Sequence, residues 1–180
     1  MKKKFLVCVD ITNEFTTGVL GSAAAAATIP LATAAIAEYK KLGYDIIFLQ
    51  DTHGDNYLQT QEGRHLPIKH GKEGSFGWKI VRQVLDAAKE DAKFILKPAF
   101  GAISLLDHLQ ETVSRPNEDI EEIIVIGLVT DICVISNVLL LKAAFPEVKI
   151  SVIANCCAGL TEQKHIAALD VMRSCQVNII

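Results

Sequence analysis

No stretch of this sequence is apolar for long enough to read as a membrane span. The apolar run behind Lys2-Lys3-Lys4 stops at Asp10, which also makes it too short for the core of a secretion signal. The three lysines read as solvated charges ahead of a first strand, and a cytoplasmic address is expected. A disulfide framework is missing too: the five cysteines, at 8, 133, 156, 157 and 175, are odd in number and form no CxxC. Excess positive charge is absent, with 18 Lys and Arg against 21 Asp and Glu for a net charge of −3. That balance gives no electrostatic footprint for nucleic acid. Long polar tracts are lacking as well: half of the 180 residues are hydrophobic and 22% charged, a globular composition. With no internal repeat and no linker, the expectation is one domain over residues 1–180. A homo-oligomer is compatible with this composition.

What is present is a rhythm. Short apolar runs at Phe5–Val9, Ile46–Leu49, Phe94–Leu96, Ile123–Ile126, Ile150–Ile153 and Val177–Ile180 alternate with amphipathic stretches near 31–42, 77–90, 102–113, 132–144 and 162–174. The alanine-rich Ala23–Ala27 leads into a helical pattern from about Pro30. Strands that are apolar throughout predict burial on both faces. Their alternation with helices predicts an α/β fold with a mostly parallel, doubly wound sheet in three αβα layers.

The strand ends carry the chemistry. The first run ends in Asp10, the second leads to Asp51 and His53, the third ends in Lys97, and the fourth runs through Gly127 to Cys133. In open α/β sheets ligands bind beyond the carboxyl ends of the strands, so these residues meet on one edge. Singly, each has a plain structural explanation: a turn aspartate, a solvated lysine, an inert buried thiol. Together, a carboxylate can take a thiol proton and an ammonium can hold the resulting charges. A helix start at Cys133 would favour its thiolate. The other four cysteines are expected to be structural. Asp51 and His53, two apart in extended chain, project the same way. With Glu62, His65 and His70 they suit a Zn²⁺, Fe²⁺ or Mn²⁺ site, although the same stretch reads equally as a hydrophilic loop with incidental histidines.

Several of these segments form a pattern. Asp10-Ile11-Thr12-Asn13-Glu14-Phe15 resembles the opening motif of the isochorismatase-like cysteine hydrolases, with Glu14 where Asp is usual. Lys97-Pro98-Ala99-Phe100-Gly101 resembles their lysine segment, and Gly127 through Cys133 their Gly-x-x-Thr-Asp-x-Cys signature. Ala158-Gly159-Leu160-Thr161 with His165 resembles the closing segment. Asp51-Thr52-His53, Glu62 and His70 are similar to the metal site of the nicotinamidases in that superfamily. Two departures are Gly71, where many relatives have Cys, and the lack of a tryptophan just before His70.

The resemblance implies a cytoplasmic amidohydrolase of NAD salvage that turns nicotinamide and water into nicotinate and ammonia. The alternative within the superfamily is another small amide, carbamoyl or vinyl-ether substrate. A catalytically silent relative is a further reading, opposed by the presence of thiol, acid, base and ligand set. By position, Asp10 deprotonates Cys133 while Lys97 holds the charges, and backbone N–H groups of Val129 and Cys133 form the oxyanion hole, beside a cis peptide before Thr130. Phe15 and Thr130 contact substrate. A divalent metal, Zn foremost, is held by Asp51, His53, His70 and a fourth ligand taken as Glu62, with His65 the competitor. The strand order implied is flavodoxin-like.

Overall fold

The computed structural model describes residues 2–180. Six parallel strands, β1 (Lys3–Val9), β2 (Asp45–Asp51), β3 (Lys93–Lys97), β4 (Ile120–Leu128), β5 (Lys149–Ala158) and β6 (Asn178–Ile179), form one sheet in the order β3-β2-β1-β4-β5-β6. This is the dinucleotide-fold order and not the flavodoxin-like one. The topology reverses between β1 and β4, and that is where an open sheet leaves a crevice.

Alternate residues of β1 face two cores. Leu6 and Cys8 pack with Phe48, Ile124 and Ile126 under α2 (Ala23–Lys41) and α4 (Arg82–Ala88), which contribute Ala32, Ile36, Val84 and Ala88. Phe5, Val7 and Val9 pack with Ile123 and Val125 under α5 (Ile103–Thr112), α7 (Ile135–Ala144) and α8 (Glu162–Ser174), through Leu105, Leu109, Val138, Leu141 and Met172. Each buried Val, Leu, Ile, Phe or Met among them contributes about 1.5–3 kcal/mol by leaving water. Uniformly apolar strands are thus explained for β1, β2 and β4. At the sheet edge, β3 departs from the expectation: Phe94 and Leu96 are 44% and 42% exposed on the last strand of the sheet.

Three boundaries differ from the sequence pattern. The alanine run is the start of α2 itself, since Ser22 caps it by accepting from the Ala25 N–H at 3.0 Å. Pro30 therefore lies inside the helix. The stretch 77–90 is helical only over α4. Trp78 is instead tied as loop to the end of β2, its carbonyl accepting from Gln50 Nε2 and its indole N–H donating to Thr52 Oγ1 at 2.9 Å. Cys156 and Cys157 lie within β5, which continues past a register shift opposite Gly127. Gly127 has φ +124°, and a Cβ there would sit 2.0 Å from the Val9 carbonyl oxygen, so the two central strands need glycine at this point. Among the described residues no helix is long and apolar enough to cross a membrane.

Candidate active site

Register brings the strand-end residues together. Val9 pairs with both Leu49 and Gly127, and Asp51 pairs with Lys97, so Asp10, Asp51, Lys97 and the turn after β4 all open on one edge. Asp10, Lys97 and Cys133 are buried. Asp10 adopts φ +50°, and its Oδ1 accepts from the Asp51 N–H at 2.9 Å. Its Oδ2 lies 2.8 Å from Lys97 Nζ as an ion pair without hydrogen-bond alignment, so lone-pair capacity remains for a proton. Lys97 Nζ donates to Asp51 Oδ1 at 3.3 Å and to the Ala99 carbonyl at 3.2 Å, and stands 3.6 Å from Cys133 Sγ.

The charges follow from this burial. Desolvation raises the Asp10 carboxyl to about 6, against the opposing pull of Lys97. Lys97 is disfavoured by burial, but Asp10, Cys133 and Asp51 outweigh that and hold it protonated above its ordinary range. For Cys133 the structure differs from the expected dipole-stabilised thiolate. Burial, then the neighbouring Asp10 charge, push its thiol well above the usual value. Cys133 itself sits in a wide helical turn over Thr130–Val134 that runs directly into α7. At rest the thiol is protonated beside an ionised carboxylate.

A second cluster adjoins the first. One ligand-type atom from each of Asp51, His53, Glu62 and His70 lies within 4.8 Å of all the others. His53 Nε2 is 3.0 Å from Asp51 Oδ2 and 3.6 Å from Glu62 Oε1, and His70 Nε2 is 3.2 Å and 3.7 Å from the same atoms. Burial works against the Asp51 charge, but the two imidazoles beside it and the Lys97 charge hold its carboxyl below the usual carboxylate range. Glu62 enters from α3 (Gln61–His65). His65, at the end of the same short helix, is exposed, hydrogen-bonds the Gln61 carbonyl at 2.8 Å and stands outside the cluster.

The two clusters open on one cavity of about 650 Å³, whose lining includes Cys133, Val129, Asp51, Glu62, His65 and His70. Phe15, Leu20, Leu66, Phe100, Ile132 and Leu160 make its walls apolar. Phe15 lies edge-on to His70 at 5.6 Å between ring centroids. Thr130, expected against the substrate, does not line the cavity. It is fully buried and its hydroxyl is paired with His165 Nδ1 at 2.8 Å, because the turn points it towards α8. The cis peptide joins Leu128 to Val129, one bond earlier than expected.

Sequence reasoning missed three supporting side chains. Asn137, buried four residues after Cys133, donates to the Cys133 carbonyl at 2.8 Å and the Phe100 carbonyl at 3.0 Å, and accepts from the Ala102 N–H. A polar residue on the apolar face of α7 was the available signal. Tyr57 packs its ring against both His53 and His70 and donates its hydroxyl to the Leu66 carbonyl. Glu14, read only as part of a motif, reaches Gly71.

Comparison with solved structures finds similar folds along nearly the whole chain. Nicotinamidase PncA from Bacillus subtilis aligns at 22% identity and TM-score 0.83, covering 98% of both chains. The pyrazinamidase of Pyrococcus horikoshii in complex with zinc aligns at 21% and 0.83, covering 99% of this chain and 98% of the other. N-carbamoylsarcosine amidase from Thermoplasma acidophilum aligns at 21% and 0.80, covering 98% and 95%. Comparison with curated proteins gives no sequence match. The isochorismatase domain model matches residues 4–180, and the chain therefore belongs to the isochorismatase family of hydrolases.

Proposed function

We propose that this protein is a metal-assisted cysteine amidohydrolase that acts on a small neutral carboxamide, with nicotinamide the preferred substrate. The observation that carries the reading is one apolar cavity that reaches Cys133, backed by Lys97 and Asp10, and also Asp51, Glu62 and His70 of the adjoining four-residue cluster. Among the described residues no Lys or Arg lines that cavity. Its walls are mostly apolar, so a carboxylate-bearing substrate would lose hydration there at a cost of several kcal/mol. Neutral amides avoid that cost.

The residues suit a divalent ion. His53 Nε2 is buried without a hydrogen-bond partner. His70 Nδ1 sits 2.8 Å from the Ile68 carbonyl, which as donor leaves Nε2 its lone pair for the cluster. Asp51, His53, Glu62 and His70 would hold the ion, two carboxylates balancing its charge, with Zn²⁺ suited to this donor set. Bound there, it supplies Lewis acidity and an anchor for a neutral donor atom of the substrate.

The chain's own residues then divide the work. Asp10 accepts the Cys133 proton while Lys97 stabilises the carboxylate and the nascent thiolate. The sulfur bonds to the carboxamide carbon, whose oxygen gains the electron pair and is held by the N–H groups of Val129 and Cys133. The C–N bond breaks, Asp10 returns the proton to nitrogen, and ammonia leaves a thioester on Cys133. A water, giving its proton to Asp10, cleaves the thioester to acid and free thiol. Phe15 and the aliphatic walls exclude bulk water and pack the ring. The test is a panel of nicotinamide, pyrazinamide and N-carbamoylsarcosine followed by product release. Turnover of the two neutral ring amides with little of the anionic one is expected. Preference for N-carbamoylsarcosine would move the chain to a carbamoyl-cleaving reading.

A further inference from the structure

We propose that Glu14 is a positioning residue for the metal cluster, acting through the peptide that joins His70 to Gly71. The inference rests on the metal reading above. Glu14 is 4% exposed, too buried for a solvated charge, and it takes no part in the chemistry at Cys133. It sits in α1 (Asn13–Thr16), where its backbone N–H donates to the Gly77 carbonyl at 2.9 Å. Its Oε1 accepts from the Gly71 N–H at 2.8 Å. That N–H belongs to the peptide on the carboxyl side of His70, while Ile68 holds the imidazole Nδ1 from the other side. His70 is thus held at ring and backbone by two separate partners.

Gly71 carries the restraint to the second histidine. Its carbonyl accepts from the His53 N–H at 2.9 Å. Its φ is +64°, and a Cβ would come within 2.8 Å of His53 Cδ2, so only glycine lets the imidazole lie against this turn. A Cβ on Gly77 would come within 2.9 Å of Glu14 Oε2, so the carboxylate fills a slot between two glycines. Side-chain length is then decisive. Aspartate would retract the carboxylate by roughly one C–C bond, about 1.5 Å, and lose Gly71. Positions 14 and 71, where the sequence departs from its motif, are in direct contact. The longer acid and the missing side chain act as a pair that sets the spacing of His53 and His70.

The experiment is zinc affinity, measured by competition with a chromophoric chelator, for the unmodified protein and for Glu14→Asp, Glu14→Ala and Glu14→Gln. Alkylation of Cys133 by iodoacetamide in the metal-free proteins reports the neighbouring triad. Outer partners of metal ligands are worth about 10–100-fold in affinity, and the Asp and Ala variants should lose that much. Glu14→Gln, whose amide oxygen can still accept from Gly71, should stay within about threefold, and alkylation should match the unmodified protein throughout. Unchanged affinity in every variant, equal loss in Gln and Ala, or alkylation falling with affinity overturns the proposal. Should Glu14→Ala not fold, the Asp and Gln variants decide it. An unmodified protein that binds no zinc overturns the metal reading itself and this inference with it.

Discussion

Lys97 and Asp51 face each other across 3.3 Å, and the other oxygen of the same aspartate is turned to His53 and His70. One buried carboxylate therefore belongs to both the thiol cluster and the Asp51-His53-Glu62-His70 cluster. Its negative charge also helps hold the Cys133 thiol protonated, after burial and Asp10. Asp51→Asn should lose metal affinity by more than the roughly 100-fold upper range for outer partners, because it removes a proposed direct ligand. In metal-free protein the same change should speed Cys133 alkylation, because a like charge near the thiolate is gone. Glu62→Ala should lose metal with alkylation unaltered. Slower alkylation in the Asp51 variant would contradict the shared role.

Asp10, Lys97 and Cys133 should behave as one unit. Asp10→Asn and Lys97→Ala should each lower kcat by about 10²–10⁴, and the double variant should lose little more than the worse single. Lys97→Ala leaves Asp10 and Asp51 buried without their cation, so a stability loss of roughly 3–5 kcal/mol should accompany it. Thermal denaturation beside steady-state kinetics separates the two effects. A kcat loss in the double variant equal to the product of the singles argues against a unit.

The acid limb of kcat/KM should report Asp10. Its pKa is raised to about 6 by burial, so at neutral pH the carboxylate is ionised and able to accept the thiol proton. As pH falls through about 6 the group protonates, the base is lost, and kcat/KM should fall towards tenfold per unit. A profile that stays flat from about pH 7.5 to about pH 5 would show that another group takes the proton.

Much of this site is legible in the residues because strand ends are legible. Asp10, Asp51, Lys97 and Cys133 each close or follow an apolar run, and a parallel sheet places such positions on one edge. Strand order is a matter of crossover connections, which periodicity does not encode, so the 3-2-1-4-5-6 arrangement had to come from the structure. Phe94 and Leu96 misled in the same way, since an apolar run looks alike on a central strand and on an exposed edge. The Cys133 thiol was expected to be eased towards thiolate by a helix start. Desolvation and the Asp10 charge, both products of tertiary packing, reverse that direction. Glu14 and Tyr57 act through contacts with backbone or rings elsewhere in the fold, and no local spacing marks them, whereas Asn137 was marked only as a polar residue on an apolar helix face.

Glu62 and His65 lie one helical turn apart, and the fold separates them. Glu62 Oε1 is within 3.7 Å of both imidazoles, whereas His65 hydrogen-bonds its own helix and is exposed. Glu62→Ala should lose bound metal and activity together, and His65→Ala should keep most of both. Elemental analysis of the purified variants checks this. Full metal in the Glu62 variant with none in the His65 variant would exchange the assignments.

The most direct measurement is ammonia and nicotinate formation from nicotinamide by zinc-loaded protein, run beside Cys133→Ala at matched fold and metal content. The account predicts equal amounts of the two products from the unmodified protein and none above background from the variant, because without Sγ no thioester can form. Undiminished turnover in Cys133→Ala would contradict the nucleophile, and no ammonia from the folded, loaded protein would contradict nicotinamide as its substrate.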